Sequence, residues 1–202
     1  MARQKPDLYK LHAEEYVTPK TPKLVKTKPA KYLAIQGKGA PGGEEFQKML
    51  GALYGVAFTI KMAQKSAGKD YAVCKLEGLW RGSRMKGNFS GEPPEQRNWK
   101  FIIRTPDFIL DKHIKDAIAA QQQEGKGPEV ARVILETIDE GQCVQMLHVG
   151  PYAEERKTIS TMKDFAKEKG LKFHGLHHEI YLSDTRRVPA QRLKTILRMP
   201  VR

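Results

Sequence analysis

The chain has 202 residues, 40% of them hydrophobic, enough to fill the core of one large domain or two small ones. No apolar run approaches the roughly 18 residues of a membrane span, and no signal-peptide-like apolar stretch follows the basic N-terminus. The expectation is therefore a soluble, cytoplasmic protein with no membrane partner. Cys74 and Cys143 lie far apart and form no CxxC, which reads as two buried, reduced thiols.

A formal net charge of +13 raises nucleic acid as a partner, but the distribution of the charge argues against it. Residues 1–40 hold nine Lys/Arg against three Asp/Glu, much of it in "TPKTPKLVKTKPAK". That stretch reads as an extended or loosely ordered basic arm over residues 1–30, with too little apolar surface to fold alone. A second basic run, Arg186, Arg187, Arg192, Lys194, Arg198 and Arg202, has no acid after Asp184. Neither run carries the aromatic interleaving of an RNA motif or a helix-turn-helix pattern, so no specific nucleic acid is expected.

From Tyr32, "YLAIQGKG" predicts a short strand ending in glycines. In the next segment Phe46, Met49, Leu50, Leu53, Ala57 and Ile60 recur at helical spacing, with Glu44 and Glu45 in the first turn where the helix dipole favours acids. "DYAVCKLEGLW" predicts a strand, and "NWKFIIRTP" another beyond the Gly/Pro-rich loop "RGSRMKGNFSGEPPEQR". A helix follows from about Asp111, and "ARVILETIDEGQCVQMLHVG" reads as two strands joined in a hairpin at Glu140-Gly141. The order then repeats: strand "CVQMLHVG", helix "YAEERKTISTMKDFAKEKG" with Ile159, Met162 and Phe165 on one face, and strands "KFHGLHHEIYLSD" and "QRLKTILRMPV".

Strand–helix–strand–strand thus occurs twice, over 32–104 and 142–200, with a helical and hairpin connection over 105–141. This predicts an α+β fold, one domain over 31–202, whose half-repeats pair about a pseudo-two-fold axis. The helices would cover one side of the sheet and leave a central ligand cleft on the other. Within "FHGLHHEIYL", Leu176, Ile180 and Leu182 share one face, the one a helix would cover, while Phe173, His177, Glu179 and Tyr181 share the other. Glu77 lies six residues beyond Tyr71, as Glu179 lies six beyond Phe173. If those strand starts are equivalent, the two carboxylates converge on the cleft, where desolvation would raise their pKa or a cationic ligand would compensate their charge. The alternative is that both are exposed strand residues paired with lysines.

"HGLHHE" puts His174 and His178 on one strand face and His177 on the other, unlike the HExxH helix of zinc sites, so no metal is expected. His148 precedes Gly150-Pro151 and reads either as a ligand contact or as a core histidine orienting the following helix. "GKGAPGG" lacks the Lys-Ser/Thr that grips phosphates, and no GxSxG or dinucleotide fingerprint is present, so no cofactor is implied. In "LHVGPY", Gly150 lets the chain turn, Pro151 suits a first helical position, and Tyr152 is fixed at a helix start beside the cleft.

"HVGPY", then "GLHHEIYLSD", Pro189 and the closing "ILRMPV" resemble the GyrI-like small-molecule-binding family, which includes the effector-binding domains of multidrug-sensing transcription regulators. "YLAIQGKGAPG", "DYAVCKLEGLW" and "NWKFIIRTPDF" resemble its stand-alone branch, some members of which hydrolyse cyclopropane-bearing, DNA-alkylating natural products. The resemblance implies a binder of planar aromatic or cationic compounds, with Glu77 and Glu179 as acids that promote ring opening by water. Trp80, Trp99, Tyr152 and Tyr181 would wall the pocket, and Tyr54 and His148 complete the candidate contacts. The hydrolase-like pattern continues with a second tryptophan where this chain has Arg81, which leaves binding and turnover both open. Strand parity also sets Trp80 opposite Glu77, so a bulge would be needed for both to reach one ligand. Two other functions remain open: a ligand-responsive transcription regulator, for which some 30 residues before the first strand are too few for a DNA-binding domain, and a protein-interaction module that inhibits a DNA-topology enzyme.

Overall fold

Eight strands hydrogen-bond into one antiparallel sheet in the computed structural model, which describes residues 5–81 and 93–202. In chain order they are β1 Lys23–Lys26, β2 Ala30–Lys38, β3 Leu76–Arg81, β4 Asn98–Arg104, β5 Ile134–Ile138, β6 Gln142–Val149, β7 His177–Tyr181 and β8 Lys194–Pro200. The helices are α1 Leu8–Leu11, α2 Glu44–Ser66, α3 Asp111–Gln123 and α4 Glu155–Glu168. The strand order is β1-β6-β8-β7-β3-β4-β2-β5. Its inner six strands read β6-β8-β7 against β3-β4-β2, so the units β2–α2–β3–β4 and β6–α4–β7–β8 meet at the β3–β7 pair. The duplicated α+β architecture is the one the repeated pattern implies.

The sheet cannot be flat. Between β1 and β2 lie six strand spacings, about 29 Å at roughly 4.8 Å each, yet Lys26 and Ala30 are joined by only three residues, which reach at most about 14 Å. The same distance separates β5 from β6, joined by Asp139–Gly141. The sheet therefore curls until its two ends approach, and the two linkers are stitched where Thr27 N–H donates to the Gly141 carbonyl at 2.8 Å. The expected hairpin at Glu140-Gly141 does not form: β5 pairs with β2, whereas β6 pairs with β1 and β8. Local turn chemistry fits a hairpin, but the pairing is settled by the non-local β2–β5 contact.

Both long helices lie on one face. In α2, Met49, Leu53, Val56, Ala57 and Ile60 form a helical stripe buried against Leu33 and Ile35 of β2 and Phe101 and Ile103 of β4. In α4, Ile159, Met162 and Ala166 bury against Val144 of β6 and Leu197 and Met199 of β8. Each of the Val, Leu, Ile and Met side chains contributes roughly 1.5–3 kcal/mol of burial energy. The two anchors occupy the flanks, leaving the central strands β3 and β7 between them.

The opposite, concave face is not left open. The basic N-terminal stretch, expected to be loosely ordered, packs across it from Lys5 onward: Tyr16 is buried with Ile180 and Ile196, and β1 adds a strand beside β6. Its backbone is held by sheet pairing and by side chains from within the sheet, a source of order that composition does not reveal. The face of Ile180 is thus covered by this arm, and the helices lie on the face of Glu179, the reverse of the sequence expectation.

Candidate functional site

Strand register fixes what the central strands present. β3 and β7 pair Glu77 with Ile180, Gly78 with Glu179, Leu79 with His178 and Trp80 with His177. Directly opposed residues point to the same side of a sheet and successive ones alternate. Gly78, Trp80, His177, Glu179 and Tyr181 therefore face the helices, while Glu77 and His178 face the N-terminal arm. The two glutamates do not converge. Counting from Tyr71 and Phe173 misjudged the equivalence by one residue, since β3 begins only at Leu76, and a slip of one moves a side chain through the sheet. No bulge is needed to bring Trp80 to Glu179; they share a face already.

On the helix face a short polar chain surrounds Glu179. Trp80 Nε1–H donates to Tyr181 Oη at 3.2 Å, and Tyr181 O–H donates to Glu179 Oε2 at 2.8 Å. The geometry depends on Gly78, because a Cβ there would lie 2.6 Å from Tyr181 Oη. Glycine in the "EGLW" strand thus makes room for the tyrosine to lean across and reach the carboxylate. His177 Nε2 stands 3.2 Å from Glu179 Oε1. Tyr152 packs edge-on to Tyr181, with ring centroids 6.0 Å apart. Burial first, then the carboxylates of Glu179 and Glu155, push the Tyr152 phenol up to about 12, so it remains a proton donor at neutral pH. Trp80, His177 and Glu179 are buried whereas Tyr152 and Tyr181 are partly exposed, which makes the tyrosines the rim and the glutamate the floor.

The other expected contacts fall in three places. Trp99 is directly opposite Trp80 in the β3–β4 pair but is buried, packed over Gly37 and against Phe46 and Phe101. It supports Trp80 from beneath the helix. Tyr54 is half-buried on α2, its phenol raised by burial and drawn down by Arg186 in the segment after β7, which sets it at the edge of the same face. His148 spends both ring nitrogens at the β6–α4 junction, 2.9 Å from Thr158 Oγ1 and 3.1 Å from the Pro151 carbonyl. With Gly150 at φ +136°, that clamp turns the chain and presents Tyr152 and Glu155 to the cleft.

Glu77 belongs to a different structure. It is fully buried, accepts from Tyr16 O–H at 2.9 Å and lies 2.8 Å from His178 Nε2. His178 Nδ1 is 2.9 Å from Glu140, which also meets Arg198 at 3.2 Å. Arg198 donates to Gln145 and to the Glu15 carbonyl, and Arg104 donates to the Glu15 carboxylate at 2.9 Å. Three carboxylates, Glu15, Glu77 and Glu140, are thus matched by Arg104, Arg198 and a protonated His178. Burial alone would lower His178, but Glu140 and Glu77 more than offset it and hold the imidazole at about 9. For Glu140, burial is likewise overcome by His178 and Arg198, which bring it to about 2. This network fixes the arm to the concave face, on the opposite side of the sheet from Glu179.

Two residues at the floor were not singled out from the sequence. Glu155, the first residue of α4, and His177 on β7 bring ligand atoms within 4.8 Å of one another and of Glu179, all three side chains buried. His177 is adjacent to Glu179 by strand parity alone, but Glu155 arrives from a helix thirteen residues after Gln142, and no sequence period links the two.

This fold and floor have known counterparts. A sequence pattern for the GyrI-like small molecule binding domain matches residues 103–202. A solved structure of a conserved protein from Listeria innocua is 35% identical, covers 98% of this chain and 100% of its own, and superposes with a TM-score of 0.90. The chain belongs to the GyrI-like small-molecule-binding family. A second solved structure from Listeria innocua, named as a hydrolase, is 33% identical over 98% of this chain and 100% of its own, with a TM-score of 0.87. The C-terminal domain of EcmrR shares the fold of this chain at a TM-score of 0.57 and 11% identity, covering 90% of this chain and 97% of that one. No curated protein matches this GyrI-like chain. Among the described residues, no helix is long and apolar enough to cross a membrane.

Proposed function

We propose that this GyrI-like protein binds planar aromatic or cationic small molecules between α2 and α4, over the floor formed by β3 and β7. The observation that carries the reading is a buried carboxylate, Glu179, ringed by Trp80, Tyr152 and Tyr181. Aromatic faces attract a flat ligand and a cation, and the carboxylate offers a counter-charge whose desolvation has already been met by the fold. Tyr181 holds that carboxylate in one orientation, so a ligand need not reorder it on binding.

Hydrolysis of a strained electrophile is the extension favoured by the full-length Listeria relative named as a hydrolase. In that reaction a water oxygen bonds to a cyclopropane carbon, the ring C–C bond breaks, and its electron pair passes to a conjugated carbonyl. Glu179 accepts the proton released by the water, and Tyr152 O–H protonates the oxygen that gains charge. Glu77 has no part in this step, since it faces the other side of the sheet.

The test is a titration with a planar aromatic cation, followed for wild type and Glu179→Gln, with mass spectrometry on a cyclopropane-bearing electrophile. Removing the charge is expected to weaken binding of the cation at least tenfold, about 1.4 kcal/mol, and to abolish any product of substrate mass plus water. Equal binding by both proteins would overturn the role of Glu179. A water adduct formed at the same rate by Glu179→Gln would overturn the hydrolytic step while leaving binding in place.

A further inference from the structure

We propose that the C-terminal end of α4 carries a second binding site, for a small amphipathic anion: a monocarboxylate with an apolar tail of medium length. The site is a cavity of about 440 Å³, a size that accommodates small ligands. Ala166, Leu171 and Phe173 line its interior and belong to the apolar cluster that packs α4 on β6 and β8. Lys163, Lys167 and Lys172 complete the lining; the first is half-buried and the other two are exposed, which puts the ammonium groups at the mouth. At about 1.5 Å per residue, α4 sets this end about 20 Å from Glu155, so the cavity is separate from the cleft over Glu179.

The charge of the lining is of one sign. Asp164 and Glu168 each follow a lining lysine by one residue, about 100° further round the helix, and neither lines the cavity. No carboxylate among the described residues forms an ion pair with Lys163, Lys167 or Lys172. The carbonyl oxygens of a helix C-terminus would repel an anion, but here the chain closes them itself. Gly170, at φ +69°, turns the backbone so that its own N–H donates to the Lys167 carbonyl at 3.0 Å and Leu171 N–H donates to the Ala166 carbonyl at 2.8 Å. Beyond that turn Lys172 is held by reciprocal backbone hydrogen bonds with Arg202, at 2.8 and 3.0 Å. The cavity is thus preformed, apolar within and cationic at its mouth. Acetate would leave the interior unfilled, and a neutral hydrocarbon would leave the lysines unmatched. A carboxylate on an apolar tail satisfies both, because the tail leaves water while the head meets three flexible ammonium groups.

Isothermal titration with decanoate, kept below its micelle-forming concentration, tests the site. The variants are Lys163→Gln/Lys167→Gln/Lys172→Gln and, as a control of equal net charge, Lys10→Gln/Lys20→Gln/Lys112→Gln. None of these six side chains is buried, so both proteins are expected to fold. The expected result is one equivalent of decanoate bound by wild type and by the control, with affinity at least tenfold lower in the first variant. Acetate should not bind measurably, and raising NaCl from about 50 to about 500 mM should weaken decanoate binding. Glu179→Gln should bind decanoate as wild type does, which keeps this outcome independent of the cleft between the helices. No saturable binding by wild type, equal affinity in the first variant, or an equal loss in the control would overturn the site. So would sedimentation with phosphatidylglycerol vesicles without binding of free decanoate, which would make the lysines a membrane contact instead.

Discussion

Raising the pH from 6.5 to 8 should weaken the fold by about 2 kcal/mol through one residue, His178. The folded state holds its imidazole at about 9 against an ordinary value of 6.5, because Glu140 and Glu77 outweigh the cost of burying the charge. Below pH 6.5 both folded and unfolded chains carry this proton, and the stabilisation is fully present. Between 6.5 and 9 only the folded chain keeps it, so unfolding releases a proton and stability falls by about 1.4 kcal/mol per pH unit. The side chain is fully buried, so solvent screening does not dilute the effect. The window stops at 8 because burial pushes the Cys74 and Cys143 thiols up to about 12, and both would release protons on unfolding at higher pH. Urea unfolding followed by the fluorescence of Trp80 and Trp99 at half-unit pH steps measures the slope, and His178→Gln assigns it. A flat wild-type profile from 6.5 to 8, or a slope of equal size in the variant, would refute the reasoning.

Two further substitutions separate the faces of the sheet. Gly78→Ala places a Cβ 2.6 Å from Tyr181 Oη and 3.1 Å from Trp80 Nε1, so the tyrosine must leave Glu179; the expected cost is about 1–3 kcal/mol in urea unfolding, with weaker binding of a planar cation. Tyr16→Phe removes the O–H that donates to Glu77 at 2.9 Å, and a buried hydrogen bond to a charged acceptor should cost roughly 1.5–3 kcal/mol while leaving affinity for that cation unchanged.

Much of the architecture is legible in residue periodicity. The stripe Met49, Leu53, Ala57, Ile60 and the pair Ile159, Met162 state two helices with one buried face each, and the repeated order of elements states the duplication. Parity within "HHEIY" correctly groups His177, Glu179 and Tyr181. What periodicity cannot carry is register between strands. Glu77 and Glu179 look equivalent when counted from aromatic strand starts, but the pairing of Gly78 with Glu179 puts them on opposite faces. Nor does it carry long-range pairing: Glu140-Gly141 has hairpin chemistry, yet β5 and β6 belong to opposite ends of a curled sheet. The N-terminal arm is the third case. Its composition resembles a solvated tail because its order comes from Arg198, Gln145 and Arg104, residues 89 or more positions away in the chain, which reach its backbone and Glu15.

The two faces divide the acidic residues of the central strands into opposite tasks. On the concave face every carboxylate is matched by a cation within the chain: Glu15 by Arg104, Glu140 by Arg198, and Glu77 by His178, whose proton the network itself retains. Such a set is costly to assemble and costly to break, because removing one partner leaves another charge buried without compensation. It ties the arm, the β5–β6 linker and the central strands into one unit, and thereby fixes the floor on the other side. On the helix face the same pair of strands presents Glu179 with neutral donors, Tyr181 through its O–H and Trp80 through the tyrosine. Successive residues of β7 thus serve opposite faces: His178 closes the network that holds the arm, and Glu179 accepts from Tyr181 on the helix face.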